Sequence, residues 1–176
     1  MERRIGKRTR KIEVPDDRLY TLEVFIISGP LTQEFAKKNS VISRTIQIRG
    51  HQSLQELHRA IFRAFDREEE HMCEFQIGGK GPHDPKARCY VLPMGMADPF
   101  VEGKPAGDVT RTRVGSLGLK VGQAFGYWFD FGDDWWHQIN VVAIEDGAPP
   151  GKYPKVTKRV GKSPPQYADW DAEGKA

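Results

Sequence analysis

Apolar and polar residues alternate at the start of the pattern. Over Tyr20 to Ile27, Tyr20, Leu22, Val24 and Ile26 share one face, while Phe25 and Ile27 add apolar weight to the other. This predicts a strand, ended by Ser28-Gly29-Pro30. Residues 31–40 show no period and read as a loop or short irregular turn. Val41 to Arg49 predicts a second strand with Ile42, Ile46 and Ile48 on one face; Arg44 shares that face and needs a rim position or a partner. The period then becomes helical. Ser53 and Glu56 have capping-box spacing, and Leu54, Leu57, Ile61, Phe62 and Phe65 recur on one side with Arg59 and Arg63 opposite. A helix is predicted over Ser53–Asp66.

Cys73 to Ile77 alternates until Gly78-Gly79, and a strand near Cys89–Leu92 is its expected partner. Pro93–Thr112 is rich in Gly and Pro and predicts a long surface loop; Val114–Leu119 predicts a short helical turn. Phe125, Tyr127, Phe129 and Phe131 then alternate with Gly126, Trp128 and Asp130, before a Gly132-Asp133-Asp134 turn and a return strand over Trp135–Ile144. That is a hairpin. Residues 147–176 hold five prolines among few aliphatics, predicting an extended tail docked through Tyr153, Tyr167 and Trp170.

The pattern amounts to a single α+β domain over residues 18–146, with a mixed or antiparallel sheet on one main helix and a late aromatic hairpin. A basic arm (1–17) precedes it and a Pro-rich C-terminal tail (147–176) follows. The opening order of two strands and a helix resembles a β-grasp arrangement, an analogy of topology that carries no activity.

Composition changes this picture little. The chain has 176 residues, 38% of them hydrophobic, enough for one core. No apolar run approaches the ~20 residues of a membrane span. Cys73 and Cys89 form no CxxC pair, and no apolar stretch follows the basic N-terminus, so a reducing, cytoplasmic location is expected. Charge matters more. Arg3, Arg4, Lys7, Arg8, Arg10 and Lys11 stand against Glu2, so the net +3 belongs to the arm and the remainder is slightly acidic. Such an arm suits weak, salt-sensitive contact with nucleic acid, or is simply a solvated terminus.

Three segments carry a resemblance. They are Leu54-Gln55-Glu56-Leu57-His58 on the helix, His71 to Gly79 on the middle strand, and Tyr127 to His137 (YWFDFGDDWWH) on the hairpin. Together they resemble the plasmid pRiA4b ORF-3-like family over about Tyr20 to Pro165. The resemblance implies a shared fold; the family name records a plasmid origin and implies no chemistry. The family often shows Ala-Cys-Pro-Pro-Glu-Asp in its tail. Here Lys162-Ser163-Pro164-Pro165-Gln166-Tyr167 stands there, so the thiol and both carboxylates are replaced.

Candidate chemistry gathers on three elements. His58 lies on the apolar helix face, His71 shares parity with Cys73 and Phe75, and His137 shares parity with Trp135 and Ile139. With Asp133 or Asp134 these histidines suggest either a divalent-metal site or an acid–base pair, and hence a metal-dependent enzyme such as a hydrolase. The structural alternative is histidines satisfied inside the core and aspartates capping a turn. His71, Cys73, His83 and Cys89 lack the spacing of a zinc finger. Trp128 and Trp136 have the outward parity and, with Asp130, suggest a binding face for a peptide, base or sugar, unless the tail covers it. The two functional readings are therefore a non-enzymatic binding module, for a protein partner or nucleic acid, and a metal-dependent enzyme.

Overall fold

In the computed structural model, residues 15–97 and 103–168 are described. The basic arm up to Lys11, the tip of the 93–112 loop, and Trp170 fall outside them. In chain order the elements are β1 (Leu19–Ser28), α1 (Gln33–Lys38), β2 (Ser43–Arg49), α2 (Leu54–Ala64), β3 (Cys73–Ile77), β4 (Arg88–Val91), β5 (Gly107–Asp108), β6 (Ala124–Phe129), β7 (Trp135–Glu145) and β8 (Lys155–Val160). Short 3-10 turns span Pro93–Ala97 and Val114–Leu117.

The strands form one mixed sheet in the order β5-β4-β3-β6-β7-β1-β2-β8. The β4–β5 pair is parallel and the others are antiparallel. The architecture is α+β and mostly sheet. Both neighbours of β1, the strands β2 and β7, run antiparallel to it.

The strand alternation decides the faces. Tyr20, Leu22, Val24, Ile46, Ile48, Phe75, Phe125, Tyr127, Phe129, Trp135, Ile139 and Val141 are buried on one face, against Leu54, Leu57 and Ile61 of α2. The helix starts as its sequence predicts: Ser53 Oγ accepts from Glu56 N at 3.2 Å, and Glu56 Oε2 accepts from Ser53 N at 2.7 Å. Close backbone packing fixes the bend after β1, because a Cβ at Gly29 would collide with the Trp135 ring.

Arg44 is inside the fold, not at a rim. Its guanidinium donates to Ala64 O at 2.8 Å, Ser43 O at 2.7 Å, Val160 O at 2.8 Å and Ser163 Oγ at 2.8 Å, and lies 4.8 Å from the Phe65 ring centre. The acceptors include a carbonyl in the last turn of α2, where partial negative charge favours a cation.

Residues 147–176 contain a strand that the proline content hides. Lys155–Val160 pairs with β2 at the sheet edge. Beyond it, Gln166 is buried and clamps the chain after α2: its Oε1 accepts from Glu68 N at 2.8 Å and Glu69 N at 3.0 Å, and its Nε2 donates to Glu69 O at 2.8 Å. Ser163 joins Arg44 to Asp66. Among the described residues no helix is long and apolar enough to cross a membrane.

Candidate functional site

Strand β6 organises the chemistry, because its two faces carry different groups. Tyr127 points inward. His58 Nδ1 lies 2.7 Å from Tyr127 Oη, and His137 Nδ1 lies 3.3 Å from the Tyr127 carbonyl. A carbonyl can only accept, so His137 carries its proton on Nδ1. The two histidines are 3% and 1% exposed, and burial pushes their pKa values down to about 4 and about 3. Burial also raises Tyr127 far above the usual phenol range. All three side chains are neutral near pH 7. The adjoining void, lined by Ile61, Phe65, Arg67, Tyr127 and His137, has no room for a water molecule.

Arg67 lies beside this group. Its guanidinium stacks 3.7 Å from the centre of the Trp135 ring system and is 7% exposed. Nη1, Nη2 and Trp135 Nε1 have no hydrogen-bond partner among the described residues. Burial lowers the Arg67 pKa to about 10, against the opposing pull of Tyr127, Asp130 and Asp133.

His71 sits apart, at the half-open end of the sheet. Its Nε2 is 3.0 Å from Tyr167 Oη, 3.4 Å from Asp130 Oδ2 and 3.9 Å from Glu69 Oε2. The three imidazoles thus share no centre: His58 and His137 bracket Tyr127 in the core, and His71 faces the tail. Among the described residues no group of three or more His, Cys, Asp or Glu side chains has metal-binding geometry. Among the described residues, His58, His71 and His137 therefore do not converge on one ion position. Cys73 faces inward and burial raises its thiol to about 12, away from His83 on the opposite side.

Asp130 is a correction to the alternation. It was expected on the outward face with Trp128, but β6 ends at Phe129 and Asp130 takes φ 54°. The left-handed residue turns its buried carboxylate toward His71. Asp133 N is 3.3 Å from Asp130 Oδ1 within the turn. Asp134 plays a different part: its Oδ1 accepts from Trp128 Nε1 at 2.8 Å and from Trp136 Nε1 at 2.9 Å.

The outward face is consequently built and rigid. Trp128 and Trp136 stack at 5.2 Å, Phe131 stacks on Trp128 at 3.9 Å, and the His83 ring meets both indoles edge-on at 4.5 and 4.7 Å. The loop carrying His83 closes this side, where the tail was expected. It is anchored by His83 N donating to Gln76 Oε1 at 3.0 Å, while Gln76 Nε2 donates to Glu74 at 2.6 Å. Trp136 is only 4% exposed and offers no free platform, whereas Trp128 is half-buried.

What remains open is a cleft of about 80 Å³ beside Trp136. Gly126 forms its floor, and Ile27, Gln76, Gln138 and the 79–82 loop form its walls. Its signal in the sequence is one residue: the outward position of β6 between Ala124 and Trp128 is glycine. The sequence carries no signal for Arg67, nor for the pairing of Tyr127 with both core histidines and of His83 with the two indoles, because nothing local marks which charges and rings meet across strands.

Residues 31–169 match the family described as plasmid pRiA4b ORF-3-like protein. No curated protein matches the chain. Among solved structures, a protein of unknown function from Methanosarcina mazei Go1, MM3350, is similar at 21% identity. That match covers 85% of this chain and 72% of the other, with a TM-score of 0.62, and shows a shared fold. The hairpin, the capped helix and the matched span together place the chain in the plasmid pRiA4b ORF-3-like family.

Proposed function

We propose that the protein is a binding module whose outer-face cleft receives one side chain of an extended segment from a protein partner. The supporting observation is the cleft itself, floored by Gly126 and walled by the pinned Trp136. Its volume of about 80 Å³ is well below the roughly 300–1,000 Å³ of cofactor and metabolite pockets. It suits a single side chain. Ile27 and Trp136 offer apolar contact, and Gln138 at the rim offers polar groups to a peptide backbone. Trp136 and Gln76 are held by hydrogen bonds without a ligand, which lowers the ordering cost of association at those two walls.

The test fills the cleft without disturbing the fold. A Cβ on Gly126 would meet the Gln76 Cβ at 3.5 Å, an ordinary contact, and valine favours strands. Peptides selected on the wild-type protein from a random display library should share one apolar anchor. Gly126→Val should weaken them at least tenfold while its melting temperature stays level or rises. Equal binding by Gly126→Val, or selected peptides with no common anchor, would remove the cleft from the proposal.

A further inference from the structure

The near-neutral balance of the folded body conceals a segregation of charge. Between residues 152 and 162 there are five basic residues, Lys152, Lys155, Lys158, Arg159 and Lys162, and no acidic one. This segment contains β8, the edge strand of the sheet. Arg159 is engaged with Asp66 and Ala64 at the end of α2. The other four are exposed and make no salt bridge with a described residue. At one end the row meets α1: Lys162 N donates to Asn39 Oδ1 at 2.9 Å, which brings exposed Lys37 to the same margin. At the other end Arg49 stacks 5.1 Å from the Tyr153 ring centre. The described residues begin at this same corner, where His51 N donates to Asp16 O at 2.8 Å.

We infer that this margin is a phosphate-binding edge that takes the backbone of a nucleic acid. Lysines on an edge strand also deter pairing with other sheets, and one or two serve for that. Here the row continues past both ends of β8, to Lys152 and Lys162, where there is no edge to protect. β8 alone is ~20 Å long, the reach of several phosphates. The residues between the lysines favour this occupant over others. Thr45, Gln47 and Thr157 line the margin with polar groups; its apolar share is small, exposed Val41 beside Gly161 and the Tyr153 ring under Arg49, too little for a protein hot spot or a membrane wedge. The contact is therefore with backbone, independent of base sequence. It shares no residue with the outer-face cleft.

The test measures binding of a 20-base-pair DNA duplex and a 20-nucleotide single strand by the full chain across a salt series. The variants are Lys155→Gln/Lys158→Gln/Lys162→Gln and a second with the six arm residues Arg3, Arg4, Lys7, Arg8, Arg10 and Lys11 changed to Gln. Wild type should bind at least one of the two. The edge variant should weaken that binding at least tenfold at low salt and flatten the slope of log K against log salt by about 2–3, since each phosphate contact contributes about 0.7–0.9. All three substitutions are at exposed sites, and matched melting curves confirm the fold. Absence of nucleic-acid binding by wild type overturns the inference. So does an edge variant with unchanged affinity and slope while the arm variant loses both, or tighter retention by phosphatidylserine vesicles than by either nucleic acid. Gly126→Val leaves this binding intact, so failure of the cleft and failure of the edge are separately visible.

Discussion

Arg44 and Arg67 are both buried, in opposite circumstances. Arg44 binds carbonyls from β2, the end of α2 and β8, and a serine of the tail, so its desolvation is offset by neutral acceptors. Arg67 has a ring beneath it and, among the described residues, no acceptor on either terminal nitrogen. A buried charge without hydrogen bonds usually costs more than an apolar residue of similar shape. Arg67→Met keeps the length and the contact with Trp135, and should raise stability by about 1–3 kcal/mol in urea unfolding. A loss of stability would mean that attraction to Asp130 and Asp133 outweighs the desolvation. Parity made Arg44, His58 and His137 legible as interior residues, because each sits inside a regular element. Arg67 and Asp130 follow the last turn of α2 and the end of β6, where periodicity no longer fixes direction, and so their positions were not legible.

At the level of elements, the hairpin turn holds the outer aromatic layer through one carboxylate oxygen. Asp134 also takes φ 57°, a conformation that aspartate and asparagine tolerate better than alanine. Asp134→Ala should therefore cost about 1–3 kcal/mol and shift both indole N–H resonances, because two donors lose their acceptor and the backbone is strained. Asp134→Asn keeps a carbonyl oxygen and should recover most of the loss. If Asn and Ala are equally damaging, the negative charge rather than the acceptor geometry is what the turn requires. The capped helix and this hairpin were readable because burial imposed their periods. The elements that were not readable have little burial: α1 has no buried residue, β5 is two residues long, and β8 is held mainly by its ladder with β2. Strands stabilised by backbone pairing leave a weak pattern in the side chains.

For the molecule as a whole, the two core histidines set the acid limit. In the unfolded chain they titrate near 6.5, and in the fold only near 4 and 3. Below pH 6.5 the unfolded state binds more protons, so stability falls as pH falls, and continues to fall until the folded-state values are reached. Each histidine contributes up to about 1.4 kcal/mol per pH unit within that window. Stability measured between pH 7.5 and 4.5, above most carboxylate titrations, should drop by several kcal/mol. His137→Gln should start less stable at pH 7.5 but show about half the slope. An unchanged slope would place the acid sensitivity elsewhere.

The strand order has a further consequence, for how the chain is made. An interior pair, β7 and β1, brings residues 135–145 against residues 19–28. During synthesis the first hairpin and its helix are complete long before β7 exists, and one flank of β1 must wait bare. Pairing so remote in sequence closes late and slowly. A ribosome stalled just before residue 135 has made two fragments of the sheet, β5-β4-β3-β6 and β1-β2, each with a bare edge where β7 belongs. For this fold, the core closes only once β7 has emerged.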